Sequence, residues 1–174
     1  MEARVIVISG SMGAGKTTVM AEASDLLAAA GIVHAAIDLD GLGIGHVPEG
    51  AWPDLAYANL ASVWQNFARA GATRLLLAEA VERADELERI RNAVPDSDVV
   101  VCRLRAGLTT MQRRVLAREP GMLQDTFVAR VAELDALLDA AELEDFSLDN
   151  DEAAVTDVAR ELLVRAGWLP SRPS

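Results

Sequence analysis

A short glycine-rich stretch near the start of the chain carries the strongest chemical signal. Gly10-Ser11-Met12-Gly13-Ala14-Gly15-Lys16-Thr17 fits the spacing G-x-x-x-x-G-K-[ST]. Glycines at these places let the backbone curl until N–H groups from Gly13 to Thr18 converge, and a helix starting there adds the positive end of its dipole. Such a cradle suits a polyphosphate. Lys16 can reach the outer phosphates, and the Thr17 hydroxyl can ligate Mg²⁺. With average residue frequencies the bare spacing arises by chance in roughly one chain in a hundred of this length. The strand-like run before it, Arg4 to Ser9, and the helical pattern after it make chance a poor account. Of the 16 lysines and arginines, only Lys16 is a lysine.

Carboxylates and arginines follow at telling places. Asp38 and Asp40 close an apolar run from His34 to Asp40. Strand residues two apart face one side, so the two carboxylates are expected to point together at a strand's carboxyl end, where open α/β sheets hold ligands. Phosphate chemistry at the glycine stretch calls for such a carboxylate. Glu79 follows the apolar run Thr73 to Ala78 and is a candidate for a Mg²⁺-water or substrate contact. Arg113, Arg114 and Arg118 lie on one helical segment, with Arg114 and Arg118 on the same face. Their forks suit phosphate oxygens, and salt bridges to Glu119 and Glu133 are the alternative. The loop from Gly41 to Pro53, with His46, Glu49 and Trp52, is a candidate substrate loop. His46 by itself reads as a solvated loop residue, and Trp52 could either stack on a ring or cover the core.

Strands and helices alternate to place these groups. Strands are expected at Arg4–Ser9, His34–Asp40, Thr73–Ala78, Asp98–Leu104 and Glu144–Asp149. Helices are expected at Thr17–Ala30, ended by Gly31; at Asp54–Ala70, with Asp54 as N-cap, Leu60, Trp64 and Phe67 inward and Gly71 at its end; and at Val81–Ala93. Three more follow at Thr109–Arg118, at Gln124–Ala141 with Phe127, Val131, Leu134 and Leu138 inward, and at Asp151–Arg165. The pattern predicts an α/β fold, a three-layer sandwich around a five-stranded parallel sheet with right-handed crossovers. Residues 1–168 are expected to form one domain, and the tail Leu169–Ser174 to fray.

Composition narrows the function classes. The 174 residues are 51% apolar and carry a net charge of −11. So acidic a surface repels nucleic-acid backbones and anionic membranes, and favours a small-molecule partner. No apolar run is long enough to span a bilayer, and no signal-like segment opens the chain. A cytoplasmic location is therefore expected. The single cysteine, Cys102, lies in an apolar strand and reads as a buried reduced thiol.

In these motifs and this order the sequence resembles the P-loop nucleoside triphosphate hydrolase superfamily, and within it the small-molecule kinase branch. It is similar in layout to shikimate kinase, gluconate kinase, adenylylsulfate kinase and chloramphenicol phosphotransferase. The resemblance implies sheet order 2-3-1-4-5, ATP and Mg²⁺. It also implies that Asp38 helps hold the metal through water, that Asp40 contacts the hydroxyl to be phosphorylated, and that Arg114 and Arg118 approach the ATP phosphates or adenine. Two departures stand out. Ala78-Glu79-Ala80 occupies the place of shikimate kinase's glycine-rich turn, which argues against shikimate, and the segment between Arg118 and Gln124 is short for a closing lid. The expected function is an ATP-dependent kinase acting on a small-molecule hydroxyl. The alternative is a nucleotide-binding switch or accessory NTPase with no such acceptor. The acidic balance opposes a polynucleotide 5′-hydroxyl kinase.

Overall fold

The computed structural model describes residues 2–42, 46–48, 50–118 and 121–171. Its elements run β1 (Ala3–Ser9), α1 (Lys16–Ala29), β2 (Ala35–Asp38), α2 (Ala51–Arg69), β3 (Arg74–Ala78), α3 (Ala84–Ala93), β4 (Ser97–Arg105), α4 (Leu108–Arg118), α5 (Gln124–Ala141), β5 (Phe146–Asp149) and α6 (Val155–Arg165). A single 3₁₀ turn, Asp40–Leu42, follows β2.

The first strand decides the layering. Ile6 and Ile8 face one side of β1, Val5 and Val7 the other, and all four are buried. A strand apolar on both sides needs helices on both faces and neighbours on both edges, as in a parallel sheet. β1 accordingly lies between β3 and β4, parallel to each. β2 pairs outside β3, and β5 pairs outside β4. The order is β2-β3-β1-β4-β5, as the resemblance implied.

Each face has its own core. Ile6 and Ile8 pack with Val19, Ala23 and Leu27 of α1, Val115 of α4, Val131 of α5 and Leu162 of α6. Val5 and Val7 pack with Leu60 and Trp64 of α2 and Ile90 of α3. Each fully buried aliphatic side chain contributes about 1.5–3 kcal/mol. Arg103 interrupts the apolar pattern of β4. It is 1% exposed, and its Nη2 donates to the Asp135 carboxylate at 2.7 Å and to the Asp135 carbonyl at 3.0 Å, pinning α5 to the sheet.

Several expected boundaries move, each for a local reason. The second strand stops at Asp38, because the chain bends after buried Leu39 and Leu42 N–H bonds back to the Leu39 carbonyl at 3.2 Å. Asp40 therefore opens the 3₁₀ turn and does not share a strand face with Asp38. Helix α2 starts at Ala51, after Gly50 at φ 78°. Asp54 is thus in its first turn rather than its cap, and pairs with Arg89 at 2.8 Å. Phe67 on that helix is exposed, unlike Leu60 and Trp64. The helix expected from Val81 starts at Ala84. Val81 is drawn into the core, its N–H donates to Ser9 Oγ at 3.2 Å, and the Glu86 carboxylate caps the next two N–H groups. The last helix starts at Val155, with bends over 151–153. Leu169 packs on the core instead of fraying, and residues 172–174 of the expected tail lie outside the described residues.

Candidate active site

The glycine stretch forms a tight loop between β1 and α1. Gly13 and Gly15 hold φ of 79° and 97°, where side chains are strained. Space is equally decisive: a Cβ on Gly13 would strike the Met111 carbonyl of α4, and one on Gly15 the Asn150 amide. Helix α1 begins at Lys16 and its first intrahelical bond runs from Val19 N–H to the Gly15 carbonyl at 2.9 Å, so the N–H groups of Lys16, Thr17 and Thr18 remain available to an anion.

Side chains from distant elements brace this loop. Ser11 Oγ donates to the Val131 carbonyl on α5 at 2.8 Å. Asn150, just past β5, donates Nδ2 to the Ala14 carbonyl at 2.7 Å. Arg114 of α4 donates Nη1 to the Gly13 carbonyl at 3.2 Å, and Nη2 to the carbonyls of Asn150 and Asp151 at 2.9 and 3.1 Å. Ala14 N–H is taken by the Ser11 carbonyl at 3.1 Å. Ser11 and Ala14 are fully buried. Of the loop residues expected to bind phosphate, these two are turned into the fold and act as anchors.

In front of the loop opens a cavity of about 610 Å³. Met12, Lys16, Thr17, Asp38, Asp40 and Gly41 line it from the loop and β2, Glu79, Ala80 and Glu82 from the end of β3, and Arg118, Phe127, Arg130 and Leu134 from α4 and α5. Thr17 Oγ1 donates to Asp38 Oδ2 at 2.6 Å. Lys16 Nζ donates to the Gly10 carbonyl at 2.9 Å. Arg130 is shared between Glu82 at 3.3 Å and Glu133 at 2.8 Å.

Charges in this cavity act on one another. Burial lowers the pKa of Lys16, opposed by the attraction of Asp40, Glu79 and Asp38. Arg118 pushes Lys16 in the same direction as burial. Glu79 is pushed up to about 8, first by burial and then by the negative charge of Asp40. Tyr57, beyond Glu79 on α2, is raised by burial and then by Glu79.

The structure thus gathers Lys16, Thr17, Asp38, Asp40, Glu79 and Arg118 around one cavity. Asp38 is half-buried and Asp40 exposed, so they reach it from different backbone settings. The arginine cluster divides. Arg113 is exposed, Arg118 lines the cavity, and Arg114, which is not among the cavity's lining residues, donates to three backbone carbonyls at the loop. Glu133, named as an alternative partner for those arginines, pairs instead with Arg130. His46 is exposed, Trp52 packs half-buried against the second core, and Glu49 and Glu119 lie outside the described residues. Sequence reasoning missed Asn150 and Arg130. For Asn150 a signal existed, a polar side chain at the carboxyl end of a strand.

The donor set fits a magnesium–nucleotide complex better than a metal held by protein alone. Among the described residues no cluster of His, Cys, Asp or Glu could hold an ion by itself. Thr17 and Asp38 offer two oxygens at the cradle's edge, and Mg²⁺ takes its remaining ligands from phosphate and water in such settings.

The five-stranded parallel sheet, with the glycine loop at the carboxyl end of its first strand, is shared with solved structures. A sugar kinase from Janibacter sp. HTCC2649 superposes with a TM-score of 0.65 at 18% identity, over 98% of this chain and 97% of that one. The APS kinase CysC of Mycobacterium tuberculosis, in complex with AMPPNP and APS, gives 0.64 at 20% identity, over 93% and 96%. The tunicamycin resistance protein of Deinococcus radiodurans gives 0.60 at 18% identity, over 99% and 100%. These likenesses establish the fold. No protein-family model matches the sequence, and no curated protein matches it by sequence. Among the described residues no helix is long and apolar enough to cross a membrane.

Proposed function

We propose that this protein is an ATP-dependent kinase that transfers the γ-phosphoryl group to a hydroxyl of a small molecule. The observation that carries the reading is the pairing of Thr17 with Asp38 at the edge of the loop, opening on a cavity that also holds Lys16 and Asp40. Groups suited to phosphate and a carboxylate suited to a hydroxyl line this one cavity.

The roles follow from placement. The N–H groups of Lys16, Thr17 and Thr18, with those of Gly13 and Gly15, hold the β- and γ-phosphates. Lys16 exchanges its Gly10 carbonyl for phosphate oxygens. A bound Mg²⁺, held by Thr17 and through water by Asp38, would supply charge neutralisation along the phosphates. Arg118, which lines the same cavity, adds positive charge. Asp40 orients the acceptor hydroxyl and takes its proton. The acceptor oxygen forms a bond to the γ-phosphorus, the bond from that phosphorus to the bridging oxygen breaks, and ADP leaves with the electron pair. Catalysis of this kind rests on positioning and electrostatics.

The test is ADP release with Mg-ATP across a panel of hydroxylated metabolites, nucleosides and antibiotics, with Lys16→Ala as blank. Acceptor-dependent ADP that disappears in the blank supports the kinase. Slow ADP release indifferent to every acceptor overturns it.

A further inference from the structure

A second cavity, of about 180 Å³, adjoins the first and shares Asp40 and Glu79 with it. Trp52 and Tyr57 of α2 form its apolar side, and Glu86 of α3 reaches it from below. Neither lysine nor arginine lines it among the described residues. Of the two arginines three residues either side of Glu86, Arg83 pairs with Glu86 at 3.4 Å and with Asp85 at 2.9 Å, and Arg89 is committed elsewhere. It stacks 5.8 Å over the Tyr57 ring and pairs with Asp54 at 2.8 Å. Glu86 is committed too, its carboxylate accepting the N–H groups of Glu82 and Arg83 at 2.7 and 3.2 Å. Among the described residues no hydrogen-bond donor serves the carboxyl groups of Asp40 and Glu79, and both face the space where an acceptor must sit to reach the loop.

We propose that the acceptor is a hydroxylated amine, its ammonium seated in this cavity against Trp52, Tyr57 and Glu79, and its hydroxyl directed to Asp40 and the phosphate loop. This rests on the kinase reading above. Aromatic faces attract a desolvated cation, and an ammonium brings the donors that Glu79 lacks, as the hydroxyl does for Asp40. A carboxylate- or phosphate-bearing acceptor would bring its charge beside Asp40 and Glu86, with no lysine or arginine among the described residues lining this cavity to pair it. The chain's charge of −11 acts in the same sense at long range. Burial lifts Glu79 to about 8, and a neighbouring ammonium favours its ionised form.

The test uses matched trios on one scaffold: glucosamine, N-acetylglucosamine and gluconate; serinol, glycerol and glycerate; ethanolamine, ethylene glycol and glycolate. ADP release from Mg-ATP is followed with the whole chain, with Lys16→Ala as blank. The amine of a trio is expected to exceed its neutral and carboxylate partners in kcat/KM by at least about tenfold, the discrimination of one charge-assisted hydrogen bond. Glu79→Gln is expected to cut that advantage about tenfold through KM for the amine. A neutral or carboxylate member in the lead overturns the inference and leaves the kinase standing. ADP release unchanged by every compound, or none above the blank, overturns the kinase reading and the inference with it. The wild-type ranking decides even where the variant fails to fold.

Discussion

Replacing Arg114 with Met separates two roles for an arginine beside a phosphate loop. The side chain is half-buried and donates to three carbonyls, those of Gly13, Asn150 and Asp151. Two of these share one nitrogen, so the set is counted as about two charge-assisted bonds. At about 1.5 kcal/mol each, the loss is about 3 kcal/mol. Methionine keeps much of the stem's packing, so the change falls mainly on the hydrogen bonds. For a chain of 174 residues, 1 kcal/mol moves Tm by about 2–4 °C, and Arg114→Met should lower Tm by about 6–12 °C. Because the Gly13 carbonyl loses its anchor, nucleotide affinity should weaken along with stability. Thermal unfolding by circular dichroism, paired with titration of a fluorescent ATP analogue, reads both. An unchanged Tm with kcat reduced a hundredfold or more would refute the bracing role and return Arg114 to the transferring phosphoryl group.

Other expectations follow from the same geometry. Gly13→Ala forces a side chain into left-handed backbone and against the Met111 carbonyl. Backbone strain alone costs about 1–3 kcal/mol, so ATP affinity should fall at least tenfold in the same titration. Glu79 is raised from the ordinary 4.5 to about 8 by burial. The folded chain therefore keeps a proton that the unfolded chain loses, and stability should decline as pH rises from about 4.5 to about 8, then level off. Urea unfolding at pH 5 and pH 9 should show Glu79→Gln gaining on the wild type at the higher pH, by no more than about 1.4 kcal/mol per pH unit crossed. Parallel stability curves would remove Glu79 as the cause. Cys102 is fully buried and its thiol is pushed up to about 12 by burial, so Ellman's reagent should react in urea and not with the native chain.

Most of the fold was legible because its signals are local. The run Arg4 to Ser9 is apolar at every other step on both faces, and glycines stand after the helices at Gly31 and Gly71, where φ is 70° and 97°. The glycine loop with Lys16 and Thr17 was equally plain. The missed or altered points depend on tertiary partners. Nothing near Val81 says that the core will take it and delay the helix to Ala84. Arg114 and Arg118 look equivalent on a helical wheel, and only the position of Asn150 shows that one is anchored behind the loop while the other faces the cavity. Asp38 and Asp40 read as strand neighbours because the bend after Leu39 follows from its burial, which the sequence does not print.

The hydrogen bond from Asn150 to the Ala14 carbonyl links residues 136 positions apart. Its effect reaches into the protein's synthesis. The glycine loop leaves the ribosome before the side chain that fixes its shape, which arrives last among its anchors. At about 5–20 residues per second, those positions are made roughly 7 to 27 s apart. During that interval the nascent chain carries its glycine loop without the clamp that shapes it. Nucleotide affinity should therefore wait until synthesis has passed Asn150, and fragments ending before it should neither deplete nucleotide nor be protected by it from proteolysis.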